Sequence, residues 1–178
     1  KTGQPPLYIW ISYIFFSLFG PTLPVVVGLK FISLATLYIL IFHLARLFTQ
    51  NNAWSVIAGI SVLGIYYISW DAILNYSQTA LLAALSVALI HALVRLAISP
   101  SSGWFSYIWL GIVIGAGIMT KYNFIILVIA SLFAASMDLG LRKKLLRRGF
   151  LSALISVIIM LPHAYWLLNN HTSSGLLV

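Results

Sequence analysis

Three stretches of this chain, Leu47–Trp70, Ala72–Val94 and Leu96–Thr120, contain no Asp, Glu, Lys or Arg. That absence restricts the fold more than any motif does. The hydrocarbon core of a bilayer is about 30 Å thick and takes roughly 20 apolar residues of helix to cross. Backbone N–H and C=O groups in lipid must find partners within the protein, so a run of this kind crosses as helix. Charged residues make up 7% of the chain, against about 25% in a soluble domain. The chain is therefore read as all-α, a polytopic bundle of transmembrane helices. The few charges it keeps in or beside the bilayer are where function is to be sought.

Proline, glycine and asparagine divide this single transmembrane domain into seven segments. Residues 7–19, after Pro5-Pro6, are short for a span and read as an interfacial or partly inserted helix. The others are 24–48, opening on Pro24, then 53–70, 72–98, 104–119, 122–137 and 150–168. The basic run from Arg142 to Arg148 is placed in a loop ahead of the last segment. With alternating crossings, Arg46, Arg95 and the five basic residues of that run share one side, seven of the ten Lys and Arg in the chain. The positive-inside rule makes that side cytoplasmic. A start at Lys1 and an apolar end at Gly175-Leu176-Leu177-Val178 read as a fragment of a larger membrane protein.

The net charge of +8 does not point to nucleic acid, because the basic residues sit at helix ends rather than on a wetted face. There they set topology and meet anionic lipid. With no cysteine, disulfides, thiol catalysis and Cys-bound metals are excluded. The two acids, Asp71 and Asp138, fall on opposite sides of the bilayer, so neither a carboxylate pair nor a carboxylate-bound metal is expected, and no cofactor is implied. Asp138 reads as the start of an inner loop. Asp71, beside Trp70 and the polar Asn75, Ser77, Gln78 and Thr79, is the low-grade catalytic candidate.

Lys121 is the sharpest single residue. It closes the run Gly111-Ile112-Val113-Ile114-Gly115-Ala116-Gly117-Ile118-Met119-Thr120-Lys121-Tyr122-Asn123. Gly111 and Gly115 share a helix face that another backbone can approach closely. The run ends on a lone cation at the outer boundary, against the positive-inside bias. An ammonium there suits a lipid phosphate, as a compact charge with three donors; the bland alternative is a snorkelling interface lysine. Lys30, within a span, either snorkels outward or faces an internal polar cavity. His43 and His91 read as interhelical hydrogen-bonders, and His163 and His171 are too isolated to suggest zinc.

The motif order resembles a known family. Gln4-Pro5-Pro6-Leu7-Tyr8-Ile9-Trp10 with Phe19-Gly20, then Gly111 to Tyr122, then Leu161-Pro162-His163-Ala164-Tyr165-Trp166-Leu167-Leu168-Asn169 are similar to three stretches of polyprenyl-phosphate-dependent glycosyltransferases. These are the family 39 enzymes of the GT-C class, which include dolichyl-phosphate-mannose–protein mannosyltransferases and bacterial aminoarabinose transferases. The resemblance implies a multi-pass enzyme of the bacterial inner (plasma) membrane with its active side outward. It would pass a sugar from a polyprenyl-phosphate donor to a glycan, lipid or protein acceptor, without a cofactor. Its general base would be an acid just before the Pro-Pro motif, outside this chain, which leaves no catalytic residue here beyond the Asp71 candidate. Lys121 and Gln4 would meet the donor phosphate, though Gln4 is uncharged where the family often has Lys or His. Tyr8, Tyr122, Asn123 and His163 would line the cavity rim. On the residues alone two other classes stay open. Gly-broken helices and the intramembrane Lys30 also suit a transporter or lipid flippase, and a non-catalytic membrane scaffold would need none of these residues.

Overall fold

A computed structural model describes residues 5–71, 78–100 and 103–170. Seven α-helices and no strand occur among the described residues. The first, α1 (Leu7–Phe19), starts after the two prolines and stops at Gly20, whose φ of 83° is a conformation that favours glycine. The second, α2 (Leu23–Thr49), carries Pro24 in its first turn and Arg46 in its last, where a cation complements the helix dipole. It ends in Gln50 with left-handed backbone. The side chain of Asn51 accepts from the Ala53 amide at 2.8 Å and caps α3 (Asn52–Ser61).

The expected helix over 53–70 breaks within α3's continuation. A 3₁₀ turn spans Val62–Gly64, Ile65 is extended, and a π-helical turn covers Tyr67–Asp71. Gly59, Gly64 and the β-branched residues between them are weak helix formers, which accounts for the interruption. Then come α4 (Thr79–Ile98), α5 (Trp104–Thr120), α6 (Phe124–Met137) and α7 (Leu139–Asn170). By length and composition α2, α4 and α7 qualify as membrane spans, whereas the other helices are shorter apolar ones. At 1.5 Å per residue α5 covers about 26 Å and α6 about 21 Å.

The start of α7 corrects the expected loop. Residues 142–148 are the first turns of one continuous helix from Leu139. The Asp138 carboxylate, read as a loop acid, accepts from the Leu141 amide at 2.6 Å and caps that helix. Lys144 then reaches across to the end of α4, where its ammonium donates to the carbonyls of Leu96 (2.7 Å) and Ser99 (2.6 Å). A cation on the orphan carbonyls of a helix C-terminus satisfies both charge and hydrogen bonding. Arg148 lies over the Trp104 ring, 5.2 Å from its centroid.

Small residues set the helix packing. Ala80, Ala84, Ala88 and Ala92, one per turn on α4, are all buried; Ala80 packs with Leu34 and Ala84 with Leu37. The pairing advances together, so α2 and α4 run parallel. On α5, a Cβ at Gly111 would sit 2.6 Å from the Ser152 carbonyl oxygen, and one at Gly115 would sit 3.0 Å from the Ile159 Cβ. This is the close approach that the four-residue glycine spacing anticipates. Ser152 donates to the Tyr107 carbonyl (2.7 Å) and Ser156 to that of Gly111 (2.9 Å). Again the register advances in the same sense, so α5 and α7 are parallel and in direct contact, with α6 as the return connection in the chain. Leu89, Leu93, Leu96, Tyr107, Leu110 and Phe124 form the main apolar core among α4 to α7.

These directions have one consequence for charge. The last turns of α2 and α4 and the first turns of α7 lie at one end of the bundle, with Arg46, Arg95 and the run 142–148. Lys121 ends α5 at the opposite end.

Candidate functional site

The chain reverses from α5 into α6 over Lys121, Tyr122 and Asn123. Lys121 is extended (φ −149°, ψ 134°), its amide still bonded to the Gly117 carbonyl at 3.1 Å. Its own carbonyl, and those of Tyr122 and Asn123, accept from Phe124, Ile125 and Ile126 at 3.0–3.1 Å. Buried residues anchor both sides. Thr120 is fully buried and donates to the Ala116 carbonyl at 2.8 Å, and Phe124 packs its ring against Gly117, where any Cβ would collide with it. The turn is thus fixed from below, and Tyr122 and Asn123 between its anchors are exposed.

Lys121 itself is half-buried. Among the described residues its ammonium has no hydrogen-bond or ion-pair partner. That sets it apart from Lys144, whose three donors go to the end of α4. The Tyr122 hydroxyl lies 2.7 Å from His163 Nε2, and the two rings are stacked at 23°. His163 in turn lies over Trp166 at 11°, with centroids 6.1 Å apart. His163 is buried, while Tyr122 and Trp166 present open faces. Pro162 precedes His163 inside α7; lacking an N–H, it frees the Ile158 carbonyl and permits a bend there. A cation and a pinned aromatic ledge therefore share one end of the bundle. Such a pair suits an anion joined to a ring with apolar C–H faces, as in a sugar phosphate.

The remaining expected residues fall as follows. Asn123 is exposed beside Tyr122. Tyr8 is half-buried on α1, which packs against α2 and α5, but no hydrogen bond or ring contact joins it to the Tyr122–His163 stack. Burial pushes its phenol above the ordinary value, so outside the three spanning helices it stays a protonated donor at neutral pH. Asp71 closes the π-helical turn ahead of α4, at the same end of the bundle as Lys121; its side chain, Gln4, Asn75, Ser77 and His171 lie outside the described residues. No three His, Asp or Glu side chains gather into a metal-binding group among the described residues.

The structure decides between the two alternatives for Lys30 and adds Trp166. Lys30 is only 4% exposed, so it faces the interior rather than snorkelling. It is a buried cation in a spanning helix, toward the Lys121 end of α2, and such groups are rarely without a role. Trp166 extends the ring stack, and its position three residues after His163 on a helix was the available signal. An open apolar groove of about 430 Å³ lies between α2 and α3, lined by Tyr38, Phe42, His43, Val56 and Leu63 among others. It sits toward the Arg46 end, away from Lys121.

A family model described as dolichyl-phosphate-mannose-protein mannosyltransferase matches residues 3–166. The lipopolysaccharide core galacturonosyltransferase RgtB of Rhizobium johnstonii is 33% identical over 169 residues, which is 94% of this chain and 34% of that protein. The lipopolysaccharide core galacturonosyltransferase RgtA of the same organism is 27% identical over 168 residues, 94% of this chain and 33% of its own length. The chain spans about a third of the length of the curated relatives it matches. No solved structure matches it significantly.

Proposed function

Because the chain belongs to the dolichyl-phosphate-mannose-protein mannosyltransferase family, a GT-C family of glycosyltransferases, we propose that it is part of a membrane enzyme that moves a sugar from a polyprenyl-phosphate donor to an acceptor hydroxyl on the outer face of the membrane. The observation that carries this reading is the Lys121 ammonium, without a hydrogen-bond or ion-pair partner among the described residues, next to Tyr122 of the Tyr122–His163–Trp166 stack. Both lie at the end of the bundle opposite seven basic residues, and the positive-inside rule makes that end the outer one. Family membership weighs against the transporter and scaffold readings.

The chemistry follows from the donor. As the bond from the anomeric carbon to the phosphate oxygen breaks, its electron pair leaves with the polyprenyl phosphate, and negative charge grows on that oxygen. A fixed ammonium stabilises this charge more than it stabilises the ground state, which is the condition for raising the rate. The acceptor oxygen bonds to the anomeric carbon and loses its proton to a carboxylate. That base is assigned to an acid ahead of Pro5-Pro6, with Asp71 as the alternative within this chain. Gln4 would add a neutral donor to the phosphate, and Tyr122, Asn123, His163 and Tyr8 would shape the rim around the sugar. The polyprenyl chain would lie along apolar helix faces. From the names of the two relatives, the first sugar to test is galacturonic acid and the first acceptor a lipopolysaccharide core.

The test uses the full-length protein in proteoliposomes, with labelled galacturonic acid presented either on polyprenyl phosphate or on a nucleotide. Transfer to the core acceptor from the lipid-linked donor alone is expected. Transfer from the nucleotide donor alone, or equally from both, contradicts the reading.

A further inference from the structure

The first three turns of α7 present two different faces. At about 100° per residue, Lys144, Arg148, Leu141 and Ser152 turn toward the bundle, where each is packed or bonded. Leu139, Arg142, Lys143, Leu146, Arg147 and Phe150 fall together on the other side, within an arc of about 140°, and all six are exposed. Within that arc the apolar Leu139, Leu146 and Phe150 take the centre. Arg142 flanks them on one edge, and Lys143 and Arg147 on the other.

Left in water this face is unfavourable. Lys143 and Arg147 are like charges four residues apart on one helix, which repel. They and Arg142 also stand near the positive end of the helix dipole, with no acid in the first turn to offset it. The nearest carboxylate, Asp138, is already engaged with the Leu141 amide. At the end of a spanning helix, long basic side chains beside an apolar strip lay their stems in the acyl boundary and their charges among headgroups. Trp104 and Phe105, exposed at the start of α5, lie at the same end of the bundle and supply aromatic groups suited to that depth.

We infer that the Arg142, Lys143 and Arg147 face of α7 is a binding surface for the headgroups of anionic phospholipids in the leaflet that meets this end of the bundle. Charge complementarity selects the occupant, since three exposed cations flank an exposed apolar strip. At roughly 1 kcal/mol for each basic residue near an anionic surface, the three together favour anionic over zwitterionic lipid by about 100-fold.

The experiment titrates the full-length protein in neutral detergent with phosphatidylglycerol or phosphatidylcholine and reads retained lipid by native mass spectrometry. The wild type is expected to hold phosphatidylglycerol about 100-fold more tightly, with that preference falling as salt rises. R142Q/K143Q/R147Q should lose the preference, while R142K/R147K, which keeps the charge, retains it. Should the triple variant not fold, R147Q alone, at an exposed position, is expected to lose about 5-fold. Equal retention of the two lipids by the wild type overturns the proposal and points to another part of the protein covering the face. An undiminished preference in R142Q/K143Q/R147Q, or in R147Q where that stands alone, overturns it as well.

Discussion

Tyr122 and His163 are 41 residues apart, and the hydrogen bond between them joins the α5–α6 turn to the far end of α7. Losing the hydroxyl leaves a buried imidazole nitrogen without its partner, a penalty of about 1–3 kcal/mol. It also frees the ring beside Lys121. Tyr122→Phe is therefore expected to lower sugar transfer about 10-fold while full-length protein still accumulates; unchanged turnover would make the pair a structural clasp only. In the sequence Lys121 stood out as a lone cation after a glycine-rich apolar run, and Tyr122, Asn123 and His163 were singled out only through the family resemblance; that much was legible. Their pairing was not, since it depends on α5 and α7 running parallel, and no periodicity within one helix reports that. Lys30 shows the same limit from the other side. Its place in a span was readable, but whether its face turned inward depended on where α2 packs.

At the scale of the helix pair, contact between α5 and α7 rests on missing side chains. A methyl at Gly111 points into the Ser152 carbonyl and the Ile155 Cβ, and a backbone carbonyl cannot yield as a flexible side chain would. Gly111→Ala should therefore destabilise the folded protein by about 1–3 kcal/mol. Gly28→Ala on α2, where an added Cβ meets nothing within 4 Å, should leave the melting temperature unchanged or slightly higher. Thermal unfolding in detergent distinguishes the two, and equal effects would contradict the packing described. The Gly111/Gly115 face was readable from spacing alone. Its partners Ser152 and Ser156 were not, because serines in an apolar helix carry no direction in sequence. The start of α7 was misread as a loop because a run of basic residues resembles a solvated connection. A local cap, Asp138 on the Leu141 amide, starts the helix, and contacts the sequence does not show hold it against the bundle: Lys144 on the end of α4 and Arg148 over Trp104.

The whole bundle separates its charges by end. Lys143 and His163 are twenty residues apart on α7, about 30 Å of helix, close to the thickness of a hydrocarbon core. The basic end and the Lys121 end can therefore face opposite sides of one bilayer. In a background free of other cysteines, Asn123→Cys in whole cells should react with an impermeant maleimide. Arg142→Cys should react only after the membrane is opened, and the reverse pattern would invert the orientation. The all-α class and the gathering of basic residues on one side were readable from the uncharged runs and the alternation of segments. The break after α3 was not, because glycine lowers helix propensity without dictating where a helix stops. The role proposed for Lys121, stabilising the phosphate that leaves a polyprenyl-linked sugar, is tested by steady-state transfer with the full-length protein and its Lys121→Ala variant on the same lipid-linked donor. Removing a charge that acts in the transition state should cost about 100-fold or more in kcat, with a smaller change in donor KM and partial recovery in Lys121→Arg. A Lys121→Ala enzyme turning over within about two-fold of wild type, against that expected loss, would contradict that role.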